Sequence, residues 1–337
     1  MLKKKICILG AGTWGIALAR MLSNSGHSVT VWSAIENEID YCFAHRSHPK
    51  LPNVTIPEAI VFTSQIEAAC IGKDIIIFAV PSVFIRSTAT KAAPFVSDNQ
   101  IFVSVAKGIE PNTLHTMSEI ISEELQKYSE KKKVKVVVLS GPTHAEEVAK
   151  DMPTTIVSAC SDLSVAKEIQ DTFMNTCMRV YTNPDVKGVE LCGAMKNIIA
   201  LASGISSGLG YGDNTKAAIV TRGMAEITRL GLAMGCHEQT FCGLAGVGDL
   251  IVTCMSEHSR NNKAGKLIGQ GCSVTEAIEK IGMTVEGINA LPASVKLSSL
   301  YGVELPIISG VDAIITRGAD PNETVKSLMM REKKTEF

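Results

Sequence analysis

One lysine stands alone in a stretch of small and apolar residues. Between Leu191 and Ala202 the chain reads Leu-Cys-Gly-Ala-Met-Lys-Asn-Ile-Ile-Ala-Leu-Ala, and Lys196 is its only charge. At helical spacing its neighbours Cys192, Gly193, Ile199 and Ala200 are apolar or small. A buried ammonium is costly unless paired, so such a lysine snorkels to the surface, joins a structural ion pair or exchanges protons. Gly193, Ala194, Ala200 and Gly204 leave room beside the helix for another backbone or a ligand, and Asn197 adds a second polar tip. Asp249 repeats the pattern as the single charge between Phe241 and Ser256. It can partner Lys196 or cap a helix after Gly248, and one carboxylate can do both. Just downstream, Ser256-Glu257-His258-Ser259-Arg260-Asn261-Asn262-Lys263 offers a guanidinium, amides and hydroxyls to an anion, or is a solvated loop.

A second candidate lies near the start. Gly10-Ala11-Gly12-Thr13-Trp14-Gly15 follows an apolar β-branched run and opens a helical pattern. That is the strand-turn-helix setting in which three glycines bring backbone amides and a helix N-terminus onto a dinucleotide pyrophosphate. In isolation G-x-G-x-x-G is a weak signal, and its plain alternative is a tight turn. NAD and NADP are usually separated at the end of the second strand, here Trp32-Ser33-Ala34-Ile35-Glu36. No arginine stands there and Glu36 falls at the start of the next helix, so neither cofactor is favoured. Arg46 and Lys50 either reach in from the following segment or stand solvated.

The elements that must position these groups divide the chain. Short β-branched runs at Ile6–Gly10, Ser28–Trp32, Ile75–Val80, Ile101–Ala106, Val134–Ser140, Thr155–Ala159 and Met178–Tyr181 alternate with amphipathic segments such as Ile16–Ser25, Pro111–Tyr128 and Leu163–Asn175. This pattern predicts a doubly wound, mainly parallel sheet with helices on both faces, a Rossmann domain over residues 1–183. From Pro184 strand signals fade, and residues 184–337 are expected to form an all-α substrate domain. In open α/β sheets ligands collect beyond the carboxyl ends of the strands. The glycine turn, Pro81-Ser82, Lys107-Gly108 and Gly141-Pro142-Thr143-His144 should therefore line one crevice.

Composition excludes several other classes. The 33 basic and 34 acidic residues nearly cancel, leaving no broad positive field for nucleic acid or an anionic membrane. Lys131-Lys132-Lys133 reads as a solvated loop before a strand. Ten cysteines are scattered without a C-x-x-C pair, which fits reduced thiols, no metal site and a cytoplasmic setting. The N-terminal Lys3-Lys4-Lys5 and apolar run imitate a secretory signal, but Gly10, Gly12 and Gly15 break the helix that a signal requires. No apolar stretch of transmembrane length is expected.

Seven ordered motifs together resemble the NAD(P)-dependent glycerol-3-phosphate dehydrogenases of the bacterial type, along nearly the whole chain. Beside the glycine turn they are Ala79-Val80-Pro81-Ser82, Ala106-Lys107-Gly108, Ser140-Gly141-Pro142-Thr143-His144-Ala145-Glu146, Cys192-Gly193-Ala194-Met195-Lys196-Asn197, Ala245-Gly246-Val247-Gly248-Asp249-Leu250 and His258-Ser259-Arg260-Asn261. The resemblance implies reduction of dihydroxyacetone phosphate to sn-glycerol 3-phosphate, which supplies the backbone for phospholipid synthesis. It makes Lys196 the acid/base residue, with Lys107 and Asp249 in the catalytic set. Around the substrate it places Lys107, Gly141, Thr143, Lys196, Asp249, Ser259, Arg260 and Asn261. On an NAD or NADP cofactor it places Gly10, Gly12, Thr13, Trp14, Gly15, Lys107, Ala145, Arg260, Thr284 and Glu286. It also implies a homodimer. One departure is that the family often has a basic pair where this chain has Ala34-Ile35, which weakens any grip on the 2'-phosphate of NADPH. Two rival readings are a dehydrogenase of β-hydroxyacids or sugar-acid phosphates and a non-catalytic dinucleotide sensor. The Ser-Arg-Asn cluster argues against the first, and the joint presence of Lys107, Lys196 and Asp249 against the second.

Overall fold

Runs of isoleucine, valine and phenylalanine form the strands β1 (Lys5–Leu9), β2 (Ser28–Trp32), β3 (Val61–Thr63), β4 (Ile75–Phe78), β5 (Ile101–Ser104), β6 (Val136–Ser140), β7 (Thr154–Ala159) and β8 (Met178–Asn183). The computed structural model describes residues 2–97, 100–128, 134–333 and 335–336. The expected loop at Lys131-Lys132-Lys133 lies outside the described residues. The strands make one sheet in the order β3-β2-β1-β4-β5-β6-β7-β8. All neighbours are parallel except β6 and β7, which are antiparallel. Both faces are covered, which is why the strands read as unbroken apolar runs. Ile6, Ile8, Ile75, Ile77, Ile101 and Val103 pack into one buried cluster, while Cys7, Leu9, Ile76, Phe78 and Phe102 pack into another. This is the doubly wound, mainly parallel Rossmann arrangement expected of the first half.

Two readings of local structure are corrected. β3 escaped notice because it is a three-residue edge strand with Val61 exposed, too short to carry a period. The helix expected from Pro111 begins instead at Met117, as Met117–Gln126. Thr116 sets that start: its backbone N–H donates to Glu119 Oε2 at 2.8 Å, half of a capping box, and Leu114 just before it has φ of +62°.

The chain forms two compact units, Met1–Gly108 with His115–Glu190, and Ile109–Leu114 with Leu191–Phe337. Beyond the helix Val186–Gly208, the second unit is helical, as expected, with Asp213–Ala233, Asp249–Met255, Arg260–Gly269, Val274–Ile281, Glu286–Tyr301, Pro306–Arg317 and Pro321–Met329 as its longer elements. Contrary to expectation, Val186–Gly208 is long and apolar enough to cross a membrane, yet its apolar window is wholly buried, as in a core helix. Its glycines admit another backbone. A Cβ on Gly204 would lie 2.1 Å from Asn262 O, and one on Gly265 would lie 2.2 Å from Leu201 O. Gly208 and Gly269 meet in the same way, so Val186–Gly208 and Arg260–Gly269 cross main chain to main chain. That crossing sets the segment Ser259–Asn261 beside the lysine-bearing helix.

Candidate active site

In the first unit the three glycines of the turn have three different jobs. Gly10 has φ of +129°, and a Cβ there would meet Ala79 O at 2.7 Å. Gly15 is in helical conformation, but a Cβ would lie 2.0 Å from Gly10 O, so the turn closes only over hydrogen. Gly12 is different, because it is exposed and a Cβ would meet nothing within 4 Å. It precedes the helix Thr13–Asn24, whose N-terminus has no side-chain cap. Orphan amides, the positive end of the helix dipole and an open approach over Gly12 fit a pyrophosphate.

The loops beyond the carboxyl ends of the strands touch in sequence along one edge of the sheet. Gly10 abuts Ala79 after β4, Gly108 after β5 abuts Ser82, and Lys107 Nζ donates to Gly141 O after β6 at 3.2 Å. Thr143 Oγ1 donates to the same carbonyl at 3.1 Å. Lys107, Gly141 and Thr143 are thus gathered at one point, and buried Ala145 opens the short helix that follows. Behind the edge, Glu190 accepts from Ser118 N at 2.8 Å and from Ser118 Oγ at 2.5 Å. Burial pushes its carboxyl up to about 7.

At the end of β2, Glu36 opens the helix Glu36–His45, as expected. Arg46 is not the solvated side chain considered above. It sits between the rings of Phe43 and Phe62, at 5.1 and 5.6 Å from their centroids, and donates to Ile60 O and pairs with Glu58.

The second unit buries the lysine. Lys196 and Asp249 are 5% and 1% exposed, and Lys196 Nζ donates to Asp249 Oδ1 at 2.6 Å and to Thr253 Oγ1 at 2.5 Å. Of the alternatives open in sequence, an ion pair is present and surface snorkelling is not. Asp249 is the first residue of the helix Asp249–Met255, where the helix dipole favours its charge. It follows a wide turn, Leu244–Gly248, in which Gly246 leaves helical geometry and a Cβ would lie 2.1 Å from Phe241 O. The glycines of Ala-Gly-Val-Gly-Asp therefore aim the carboxylate. Thr253, one turn further on, accepts from Lys196 while donating to Asp249 O at 2.6 Å, which orients its hydroxyl. Sequence reasoning passed over Thr253, although its i+4 spacing from Asp249 was a usable signal. Beside the pair, burial pushes the Cys254 thiol up to about 12, so it is no nucleophile. None of the ten cysteines is in a disulfide.

The Ser-Arg-Asn cluster separates into distinct roles. Ser259 caps the helix Arg260–Gly269 by accepting from Asn262 N at 3.2 Å. Asn261 Nδ2 donates to Asn197 Oδ1 at 2.9 Å, and Gly287 N donates to Asn261 Oδ1 at 2.8 Å. This bolts the lysine helix to the start of Glu286–Tyr301, where Thr284 and Glu286 lie half-buried. Arg260 is exposed at the first helical position, with orphan amides around it.

A dinucleotide turn on a Rossmann sheet and a helical unit that buries an ion-paired lysine define a class, the nicotinamide-dependent oxidoreductases. Comparison with known proteins narrows it. The family of the NAD-dependent glycerol-3-phosphate dehydrogenase N-terminus matches residues 5–166, and that of its C-terminus matches residues 185–326. A glycerol-3-phosphate dehydrogenase [NAD(P)+] of Lactobacillus delbrueckii subsp. bulgaricus is 63% identical over 99% of both chains. One of Agathobacter rectalis is 50% identical over 98% of this chain and 97% of its own. The crystal structure of glycerol-3-phosphate dehydrogenase from Coxiella burnetii superposes with a TM-score of 0.92 at 34% identity, covering 98% of this chain and 99% of that one. The chain belongs to the NAD(P)-dependent glycerol-3-phosphate dehydrogenase family.

Proposed function

We propose that the chain reduces dihydroxyacetone phosphate to sn-glycerol 3-phosphate with Lys196 as the acid. The observation that carries this is the buried Lys196, held by both Asp249 and Thr253. Reducing a ketone requires a hydride at carbon and a proton at oxygen. The bound nicotinamide supplies the hydride. Lys196 Nζ gives the proton to the developing alkoxide and recovers it in the reverse direction. Asp249 favours the charged ammonium, and Thr253 fixes where it points.

The first unit contributes the dinucleotide residues Gly10, Gly12, Thr13, Trp14, Gly15 and Ala145, together with Lys107, Gly141 and Thr143. From the second come Lys196, Asp249, Thr284, Glu286 and the anion-binding segment. In that segment the side chains of Ser259 and Asn261 shape the site from within, and Arg260 with the first-turn amides takes the phosphate. The product then serves as the glycerol phosphate backbone of phospholipids, and the enzyme works as a cytoplasmic homodimer.

The test is to mix the protein with dihydroxyacetone phosphate and either NADH or NADPH and follow absorbance of the reduced nicotinamide. Oxidation that depends on the ketone is expected. Its absence with both cofactors, or equal turnover of a β-keto acid lacking phosphate, would sink the proposal.

A further inference from the structure

The end of β2 carries a fixed carboxylate. Ser33, the residue after Trp32, is buried and donates from Oγ to Glu38 Oε2 at 2.8 Å. The same Oγ accepts from Ile35 N at 3.1 Å, so its hydrogen is directed at Glu38. Glu38 lies in the first turn of Glu36–His45, where the helix dipole favours its negative charge. A carboxylate accepts up to about four hydrogen bonds, and Ser33 fills one of them. The glycine turn is tied to this strand end, because Gly10 N donates to Trp32 O at 2.8 Å. The nearest arginine is turned elsewhere: Arg46 packs on Phe43 and Phe62 and engages Ile60 O and Glu58, and Ala34 and Ile35 have no charge to offer, while His48 lies within electrostatic reach of both Glu38 and Lys50.

We infer that Glu38, positioned by Ser33, reads the adenosine ribose and makes the chain favour NADH over NADPH. This rests on the proposed seating of the pyrophosphate on Gly10 to Gly15. A ribose with a free 2'-hydroxyl donates to the carboxylate. A 2'-phosphate places like charge against it, which is the repulsive half of specificity. Neither Glu36 nor any arginine is needed.

The full chain is titrated with NADH and, separately, with NADPH, following fluorescence of its two tryptophans, Trp14 and Trp32. Binding of NADH tighter by about tenfold or more is expected. Glu38→Gln should narrow the ratio to within about threefold, mainly by tightening NADPH, with the melting temperature of each protein checked alongside. Where Glu38→Gln folds poorly, Ser33→Ala serves, since it frees the carboxylate and should weaken NADH. Equal affinities in the unaltered chain, or a ratio unmoved in Glu38→Gln, overturn the assignment to Glu38 while leaving the turn's role intact. If neither dinucleotide binds, the seating on the turn falls and this inference with it.

Discussion

The dinucleotide turn of the first unit works by leaving side chains out, whereas the lysine cluster of the second works by packing side chains in. At Gly10 and Gly15 a single added carbon would strike main chain, and at Gly12 it would fill open space. The groups the turn would offer a dinucleotide are backbone amides, which every residue but proline owns. In the second unit Lys196, Asp249 and Thr253 are nearly free of solvent, and each is positioned by the other two. Backbone recognition would serve any dinucleotide enzyme on this fold, while a buried, paired ammonium is particular to the proton transfer proposed for it. Tolerance to change should differ accordingly.

The sharpest break in that comparison is Lys196→Ala, which should lower kcat by roughly two to four orders of magnitude while dinucleotide affinity is kept. Near-normal turnover would remove Lys196 from the chemistry. The variant also leaves Asp249 buried without its cation, so a lower melting temperature is expected, and Lys196→Met with Asp249→Asn should recover part of it without recovering turnover. Arg260→Ala comes next, raising the KM for dihydroxyacetone phosphate by about ten- to a hundredfold, the worth of a charged hydrogen bond or two. An unchanged KM would place the phosphate elsewhere.

The glycines sharpen the other side. Gly15→Ala should lose both melting temperature and dinucleotide affinity, because its Cβ would lie 2.0 Å from Gly10 O. Gly12→Ala should keep the melting temperature and weaken the dinucleotide by about tenfold, the loss of one close backbone approach. A Gly12→Ala protein that binds normally would show that the pyrophosphate does not pass over it. Thr253→Val should cost about tenfold in kcat and move the pH profile, with Thr253→Ser restoring both, since only the hydroxyl orients Lys196. An unmoved pH profile would leave Thr253 a packing residue.

A buried carboxylate that accepts from amides, with Arg229 and Arg222 in electrostatic reach, gives a test on stability in place of turnover. Glu226 accepts from Ile307 N at 2.7 Å and Ile308 N at 3.2 Å at the start of Pro306–Arg317, and burial pushes its carboxyl up to about 7. A folded value above the ordinary one means that the folded state holds the proton more tightly. Its contribution is complete below the unfolded value near 4.5 and is lost as pH rises through 7, a span worth about 3 kcal/mol. The melting temperature should fall across that window, and less so in Glu226→Gln. Identical pH slopes in the two proteins would contradict this.

How much was legible follows from range. Long apolar runs such as Ile75–Phe78, covered on both faces, announce a strand wherever they occur, and most of the sheet was read that way. β3 was not, because three residues at an edge carry no period. The helix start at Met117 was misplaced because it depends on the cap at Thr116 and on a left-handed Leu114, which no apolar pattern marks. Lys196 and Asp249 were conspicuous as lone charges in apolar sequence. Their pairing stayed one alternative among several, since 53 residues separate them. The bolt from Asn197 through Asn261 to Gly287 left no trace, because an amide in a polar cluster looks the same whether it faces solvent or a buried partner.

The sequence by itself determined a sheet, a glycine turn after its first strand and a lone lysine in apolar helix, because propensity, period and turn chemistry act over a few residues. Tertiary structure decided which charges meet: that Lys196 faces Asp249 and Thr253, that Ser33 hands its hydrogen to Glu38, and that Arg46 is clamped away between two rings. The reason is physical. The cost of burying a charge is visible in one dimension, but the partner that repays it is chosen by packing in three.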